Sequence, residues 1–239
     1  MAQTILVMGE SGAGKTTSMR NLPPEQTLYI DCDGKGLQWR GWRDGYKKGV
    51  NYVATSDKQQ IYDILEMLQY KKRPEIVKGS AGQIVKKYDS PNATPIFEGI
   101  KYVVIDTLNG IMVDDEMARM KEKGYDKWVD LSTAVYGIIV YANKMRDDLT
   151  VIFTAHTQTE RDENTGMSWT RMKTNGKKLD KIVLESKFST VLLATTHNGE
   201  FVFETKANNS TAKTPLGAFD TDTIPNDIMA VITALEDYK

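Results

Sequence analysis

Gly9-Glu10-Ser11-Gly12-Ala13-Gly14-Lys15-Thr16 satisfies the pattern G-x-x-x-x-G-K-[ST] at every fixed position. The apolar run Thr4–Met8 before it reads as a buried strand. Lys15–Asn21 after it reads as the opening of a helix, which Pro23-Pro24 ends. Strand, glycine-rich loop and helix in that order form a phosphate cradle. Glycines let the backbone wrap closely so that several N–H groups point inward, and the helix adds the positive end of its dipole. In such a cradle Lys15 neutralises charge on the β- and γ-phosphates, the Thr16 hydroxyl ligates magnesium, and Thr17 adds a contact further back along the phosphates. The reading predicts ATP, or a close relative, with Mg2+, held by Gly9, Glu10, Ser11, Gly12, Ala13, Gly14, Lys15, Thr16 and Thr17.

Two further stretches supply acids. Tyr102-Val103-Val104-Ile105-Asp106 is an apolar strand ending in a carboxylate, which can hold the metal through its water shell. Thr16 and Asp106 are therefore the expected metal residues. Tyr29-Ile30-Asp31-Cys32-Asp33-Gly34 places two acids at the end of the strand Thr27–Asp31, where one can face the γ-phosphate as a base. The alternative is that they cap a turn before Gly34 and Gly36. The strand Thr150–Ala155 runs into His156, a polar group that can sense the γ-phosphate.

Outward from these, Val50–Ala54 reads as a short strand and Asp57–Tyr70 as an amphipathic helix with Ile61, Ile64, Leu65 and Leu68 on one face. Residues 71–99, with Pro74, Gly79, Gly82, Pro91 and Pro95, read as an inserted excursion of hairpin type. Helices are expected over 110–122 and 131–147, with a loop at 124–130, and a short helix over Leu179–Glu185. The segment 157–178 is polar and glycine-containing and is expected to be a mobile loop. Phe188–Thr196 and Glu200–Lys206 form a hairpin about Asn198-Gly199. An extended tail leads from Asn208 to Pro225, and Asp227–Asp237 is a closing helix. Strands alternating with helices predict a single α/β domain over 1–239, with a mostly parallel sheet covered on both faces and an antiparallel C-terminal hairpin. Composition fits a globular protein, 40% apolar and 26% charged. One cysteine, Cys32, excludes an internal disulfide, and the opening residues are not those of a signal peptide, which together predict a cytoplasmic setting. The net charge of −1 neither demands nor forbids nucleic acid, so any such surface must come from local clustering of charge.

With these elements in place, the order resembles the RecA-like branch of P-loop ATPases. It is also similar to the compact phage-encoded RecA-core proteins that act as single-strand annealing recombinases, and to phage AAA-type nucleotide-binding proteins. The C-terminal stretches Thr205-Lys206-Ala207, Thr211–Gly217 and Ile224–Asp227 share that outline. The resemblance implies that Asp33 is the catalytic base, in a position where the family commonly has glutamate. It implies that His156 is the sensor, where glutamine or asparagine is commoner, so that Lys15, Asp33, Asp106 and His156 form the catalytic set. It further implies that 157–178 is a DNA-binding loop, that 124–130 matches a first DNA-contacting loop by position, and that a basic residue such as Lys206 reaches a neighbouring subunit's γ-phosphate. Because the chain opens directly on its first strand, filament formation through an N-terminal docking segment is not expected.

Two basic clusters stand out. Residues 171–187 carry six basic side chains against two acidic, with Trp169 just ahead, and 71–87 carry six against one. Cations that follow phosphates beside a ring on which a base stacks suit single-stranded DNA. Trp169, Arg171, Lys173, Lys177 and Lys178 are the DNA-contacting residues that the resemblance favours. Trp39 and Trp42 read as a core-facing turn. The expected function is a DNA-dependent ATPase of phage recombination, with single-stranded DNA, a single-strand-binding protein and further copies of the chain as partners. A replication, packaging or partition motor, an ATP-switched module with little turnover, and a P-loop phosphotransferase are the alternatives.

Overall fold

The computed structural model describes residues 1–122, 126–161, 163, 166–175 and 183–238. β1 (Gln3–Gly9) is buried along six of its seven residues, with Leu6 and Met8 in one hydrophobic layer and Ile5 and Val7 in the other. A strand covered on both sides has no polar alternation to show, which is why Thr4–Met8 reads as a plain apolar run. β2 (Thr27–Asp31), the one-turn helix α1 (Trp42–Gly45), β3 (Tyr52–Ala54) and α2 (Lys58–Tyr70) follow. The excursion holds β4 (Lys72–Arg73), β5 (Glu75–Lys78), β6 (Ile84–Lys87) and β7 (Thr94–Pro95), paired β4 with β7 and β5 with β6. Next come β8 (Tyr102–Asp106), α3 (Leu108–Ala118), α4 (Asp126–Asn143), β9 (Thr150–Ala155), β10 (Thr157–Arg161) and β11 (Ser168–Met172). β12 (Thr190–His197), β13 (Glu200–Glu204), β14 (Thr223–Pro225) and α5 (Ile228–Asp237) complete the chain.

Among the described residues, the main sheet has eight strands in the order β14-β13-β12-β1-β9-β8-β2-β3. The six strands from β12 to β3 are parallel, and β13 and β14 are antiparallel. α2, α3 and α4 cover one face through Ile61, Leu65, Ile111, Ile138 and Ile139, and α5 covers the other through Val231, Ile232 and Leu235. Asp57, Thr107 and Asp227 cap α2, α3 and α5 by accepting from the backbone N–H groups of Gln60, Gly110 and Met229. Because β1, β9, β8 and β2 lie side by side and run the same way, their carboxyl ends bring the P-loop, His156, Asp106 and Asp31 to one edge of the sheet. Ligands of open α/β sheets bind at that edge.

Several expectations change. The helix expected over Lys15–Asn21 is a single 3-10 turn, Thr17–Asn21, because Leu22 is already extended ahead of Pro23-Pro24. So short a turn carries little macrodipole, leaving the loop N–H groups and Lys15 to attract phosphate. The loop expected over 124–130 gives way at Asp126 to α4, while 123–125 lie outside the described residues. Where a loop is expected at 157–178, β10 and β11 form an antiparallel hairpin from Thr157↔Met172 to Arg161↔Ser168. The short helix expected over Leu179–Glu185 lies largely outside the described residues, and a 3-10 turn spans Leu184–Lys187. The Asn198-Gly199 turn forms as expected, with φ of 51° and 83° joining β12 to β13.

Candidate nucleotide-binding site

At the carboxyl edge a cleft of about 330 Å³ opens between the P-loop and the ends of β2 and β8. Gly14 has φ +87°, and a Cβ there would stand 3.1 Å from the Phe201 ring. A Cβ on Gly9 would meet the Ala194 carbonyl oxygen at 2.6 Å, so β12 presses directly on the base of the loop. The pattern's glycines are thus required by conformation at one position and by close approach at the other.

Lys15 is buried, and its Nζ donates to the carbonyl oxygens of Gly9 at 2.9 Å and Glu10 at 2.8 Å. Burial pulls its pKa below the ordinary lysine value, while Asp106 and Asp33 act in the opposite direction. A phosphate chain in the cleft would act with those two carboxylates in favouring the ammonium. His156 stands with Nδ1 3.4 Å from the same Nζ. Burial and then the Lys15 charge depress its pKa, so the ring is neutral near pH 7.

Asp106 is buried and fully engaged. It accepts from Thr16 Oγ1 at 2.7 Å, from Tyr29 OH at 2.5 Å and from Thr154 Oγ1. Burial and then Asp106 itself hold the Tyr29 phenol in its protonated, donating form. A hydroxyl and a carboxylate this close are hard oxygen donors on one side of the cleft. They fit magnesium, which prefers oxygen and keeps part of its water shell.

The two acids of the second strand separate cleanly. Asp31 is a buried turn-former, accepting from the backbone N–H of Asp33 at 3.2 Å, Gly34 at 2.9 Å and Gly36 at 2.7 Å, and from Tyr52 OH at 2.6 Å. Asp33 lines the cleft, touching only the Thr107 hydroxyl at 3.2 Å and Lys35 Nζ at 2.9 Å among the described residues. Its position, not that of Asp31, is open to a water or a phosphate. Asp31→Ala strips four donors of their acceptor, at a cost of about 3 kcal/mol. A thermal melt of that variant should fall by roughly 10 °C; an unchanged melting temperature would contradict the turn-forming role.

Glu10 and Ser11 are exposed on the loop, Ala13 is buried beneath it, and Gly12, Thr16 and Thr17 border the cleft. Trp169 lies on β11, exposed at 36%, and Lys173 is exposed just beyond it. Arg171, by contrast, is largely covered and pairs with Glu160 at 3.3 Å. Lys177 and Lys178 lie outside the described residues. Lys206 follows β13, which runs away from the P-loop edge, and pairs with Asp222 at 2.5 Å.

Sequence reasoning missed three residues. Phe201 shares a strand face with buried Phe203 but overhangs the core, half-exposed, beside Gly14. Asn226 is buried beside Gly14 too, with no partner for its Nδ2 among the described residues. Asn109 on α3 accepts from His156 N at 2.7 Å and donates to Lys173 O at 3.0 Å, while Lys173 N donates to His156 O at 2.7 Å. The alternation of Glu200–Glu204 could have placed Phe201 on the face of Phe203. Nothing local marks Asn109 or Asn226.

No curated protein matches the chain. Among solved structures, the pCW3 conjugation coupling protein TcpA, in a monomer form with ATPγS, is similar at 12% identity and a TM-score of 0.44. That match covers 100% of this chain and 65% of the other. The model of the family described as AAA domain matches residues 1–216, which include every residue that lines the cleft. No helix among the described residues is long and apolar enough to cross a membrane. With a P-loop at the centre of a mostly parallel sheet and a family match over most of its length, the chain belongs to the AAA domain family of P-loop ATPases.

Proposed function

We propose that the chain is a magnesium-dependent ATPase whose turnover is coupled to single-stranded DNA, in the strand-annealing and recombination role that its RecA-like order implies. The observation that carries this is the convergence of Lys15, Thr16, Asp106 and Asp33 on one cleft at the carboxyl ends of adjacent parallel strands. Thr16 and Asp106 would hold magnesium, which neutralises charge on the β- and γ-phosphate oxygens when bound. Lys15 swings from the loop carbonyls onto the same phosphates. A water in line with the γ-phosphorus passes a proton to Asp33 as its oxygen bonds to phosphorus. The bond to the β,γ-bridging oxygen then breaks, giving ADP and phosphate.

On this reading the base of the nucleotide would leave the cradle past Gly14, where the half-exposed Phe201 ring lines the cleft and could take it as a stacking face. Phe201→Ala should weaken ATP by about 1–3 kcal/mol, the usual range for base–aromatic stacking. Inorganic triphosphate, which has no base, should bind as before; equal losses for both ligands in a competition assay would remove Phe201 from base binding.

Coupling to DNA is supported by the short path from Lys15 through His156 and Asn109 to Lys173 at the foot of the β10–β11 hairpin. A γ-phosphate that draws Lys15 away changes the His156 environment, and the hairpin begins at the next residue. Trp169, Lys173, Lys177 and Lys178 would contact the strand. The experiment is ATP turnover with and without single-stranded DNA, alongside Lys15→Ala and Lys177→Glu/Lys178→Glu. Stimulation lost in both supports the reading, and turnover indifferent to DNA overturns it. A second reading, a switch with little turnover, is favoured by one observation: the Asp33 carboxylate is paired with Lys35.

A further inference from the structure

Lys35 belongs to two clefts at once. On one side it lines the phosphate cleft, holding Asp33 Oδ2 at 2.9 Å. On the other it borders a cleft of about 490 Å³ at the β3 edge of the sheet, shared with Trp42, Arg43, Lys47 and Lys48. Among the described residues, that second cleft is lined by four cations and no carboxylate. The Arg43 guanidinium sits 4.6 Å over the Trp42 ring, and Lys47 Nζ donates to the Arg43 carbonyl oxygen at 2.7 Å, so the basic group is held in place. Arg43, Lys47 and Lys48 are exposed, and among the described residues none has a carboxylate partner.

The other basic segments compare poorly. Lys86 is engaged by Asp63 at 2.6 Å and Glu66 at 2.7 Å, and Lys71 by Asp148 at 3.3 Å. Residues 157–175, which build the β10–β11 hairpin, carry three basic side chains against three acidic. Residues 35–48 carry five against one, beside the candidate base. That excess of four equals the one over 171–187, but among the described residues it is the β3-edge group that borders the active cleft, through Lys35.

We propose that this second cleft takes the phosphodiester backbone of a single-stranded nucleic acid, and that its phosphates draw Lys35 away from Asp33 and so free the base. The inference rests on Asp33 being the base. A concave, cation-lined groove suits a single strand, whereas a duplex presents a broad, stiff surface. The Lys35 side chain is 67% exposed against 19% for Asp33, so the lysine is the partner free to move. An ion pair with one end in solvent is weak and easily outcompeted by a nearby polyanion. Strand binding would thus raise turnover by moving one side chain.

The test is ATP turnover by the full chain, with and without oligo-dT, in wild type, Lys35→Ala, Lys35→Arg and Lys47→Glu/Lys48→Glu. The ratio of stimulated to unstimulated rate should fall to about one in two variants for opposite reasons. Lys35→Ala should raise the unstimulated rate to the stimulated one, because nothing then restrains Asp33. Lys47→Glu/Lys48→Glu should lose the stimulated rate, because the strand's phosphates no longer enter this cleft to draw Lys35 from Asp33, and Lys35→Arg should keep both. A slower unstimulated rate in Lys35→Ala, or full stimulation in Lys47→Glu/Lys48→Glu, would overturn the proposal, as would duplex DNA stimulating as well as oligo-dT. If oligo-dT fails to stimulate wild type, the DNA-coupled reading falls; a fast Lys35→Ala would then still establish the restraint on Asp33 and remove only the nucleic acid.

Discussion

Asp33→Asn is expected to bind ATP with wild-type affinity and to hydrolyse it about 10²–10⁴-fold more slowly, the range for losing a positioned general base. The substitution keeps the size of the side chain and its acceptor for the Thr107 hydroxyl, so the turn and the cleft wall persist. What disappears is the carboxylate that takes the proton. The fold does not depend on that charge, because the turn after β2 is held by Asp31 through four hydrogen bonds. A binding titration paired with phosphate release separates the two effects. Equal rates in Asp33→Asn and wild type would move the base elsewhere.

Lys15→Ala is expected to fail earlier, at binding. A charge-assisted hydrogen bond to phosphate is worth about 1.5–3 kcal/mol, so removing each such bond weakens affinity roughly 10- to 150-fold. Stability should respond differently. The Lys15 ammonium is buried, and its pKa is pulled down by that burial despite Asp106 and Asp33. Removing it relieves a desolvated charge, so the thermal melt of the ligand-free variant should not fall. Calorimetric titration with ATP and a melt together check the point. Weakened binding accompanied by a large loss of stability would mean that Lys15 holds the loop together, not the ligand.

The centre of the site is legible because it depends on short-range chemistry. A glycine-rich loop after an apolar strand and an acid ending the strand Tyr102–Asp106 carry their context with them, and the parallel order of β1, β9 and β8 brings them together. The choice between Asp31 and Asp33 is not local. Asp31 closes the turn because Gly34, Gly36 and Tyr52 all aim donors at it, and only the folded turn shows that arrangement. Phe201 is invisible for a different reason: β13 must pair with β12 before a ring 187 positions away can meet Gly14. The β10–β11 hairpin escapes a reading by hydrophobic period because its strands pair outside the core. Met172 is its only buried side chain among the described residues, so no apolar alternation marks it. Pro23-Pro24 is visible, yet the structure keeps only one 3-10 turn ahead of it, which transfers the work of phosphate binding to Lys15 and the loop.

The most direct measurement of the central claim is a single turnover of magnesium–ATP by wild type and Asp33→Asn, with bound nucleotide and released phosphate followed in the same sample. Both proteins should bind ATP; wild type should convert it to ADP and phosphate, and Asp33→Asn should retain it intact. ATP consumed at the same rate by both, or left intact by both with and without single-stranded DNA, would contradict an ATPase built on this cleft with Asp33 as its base.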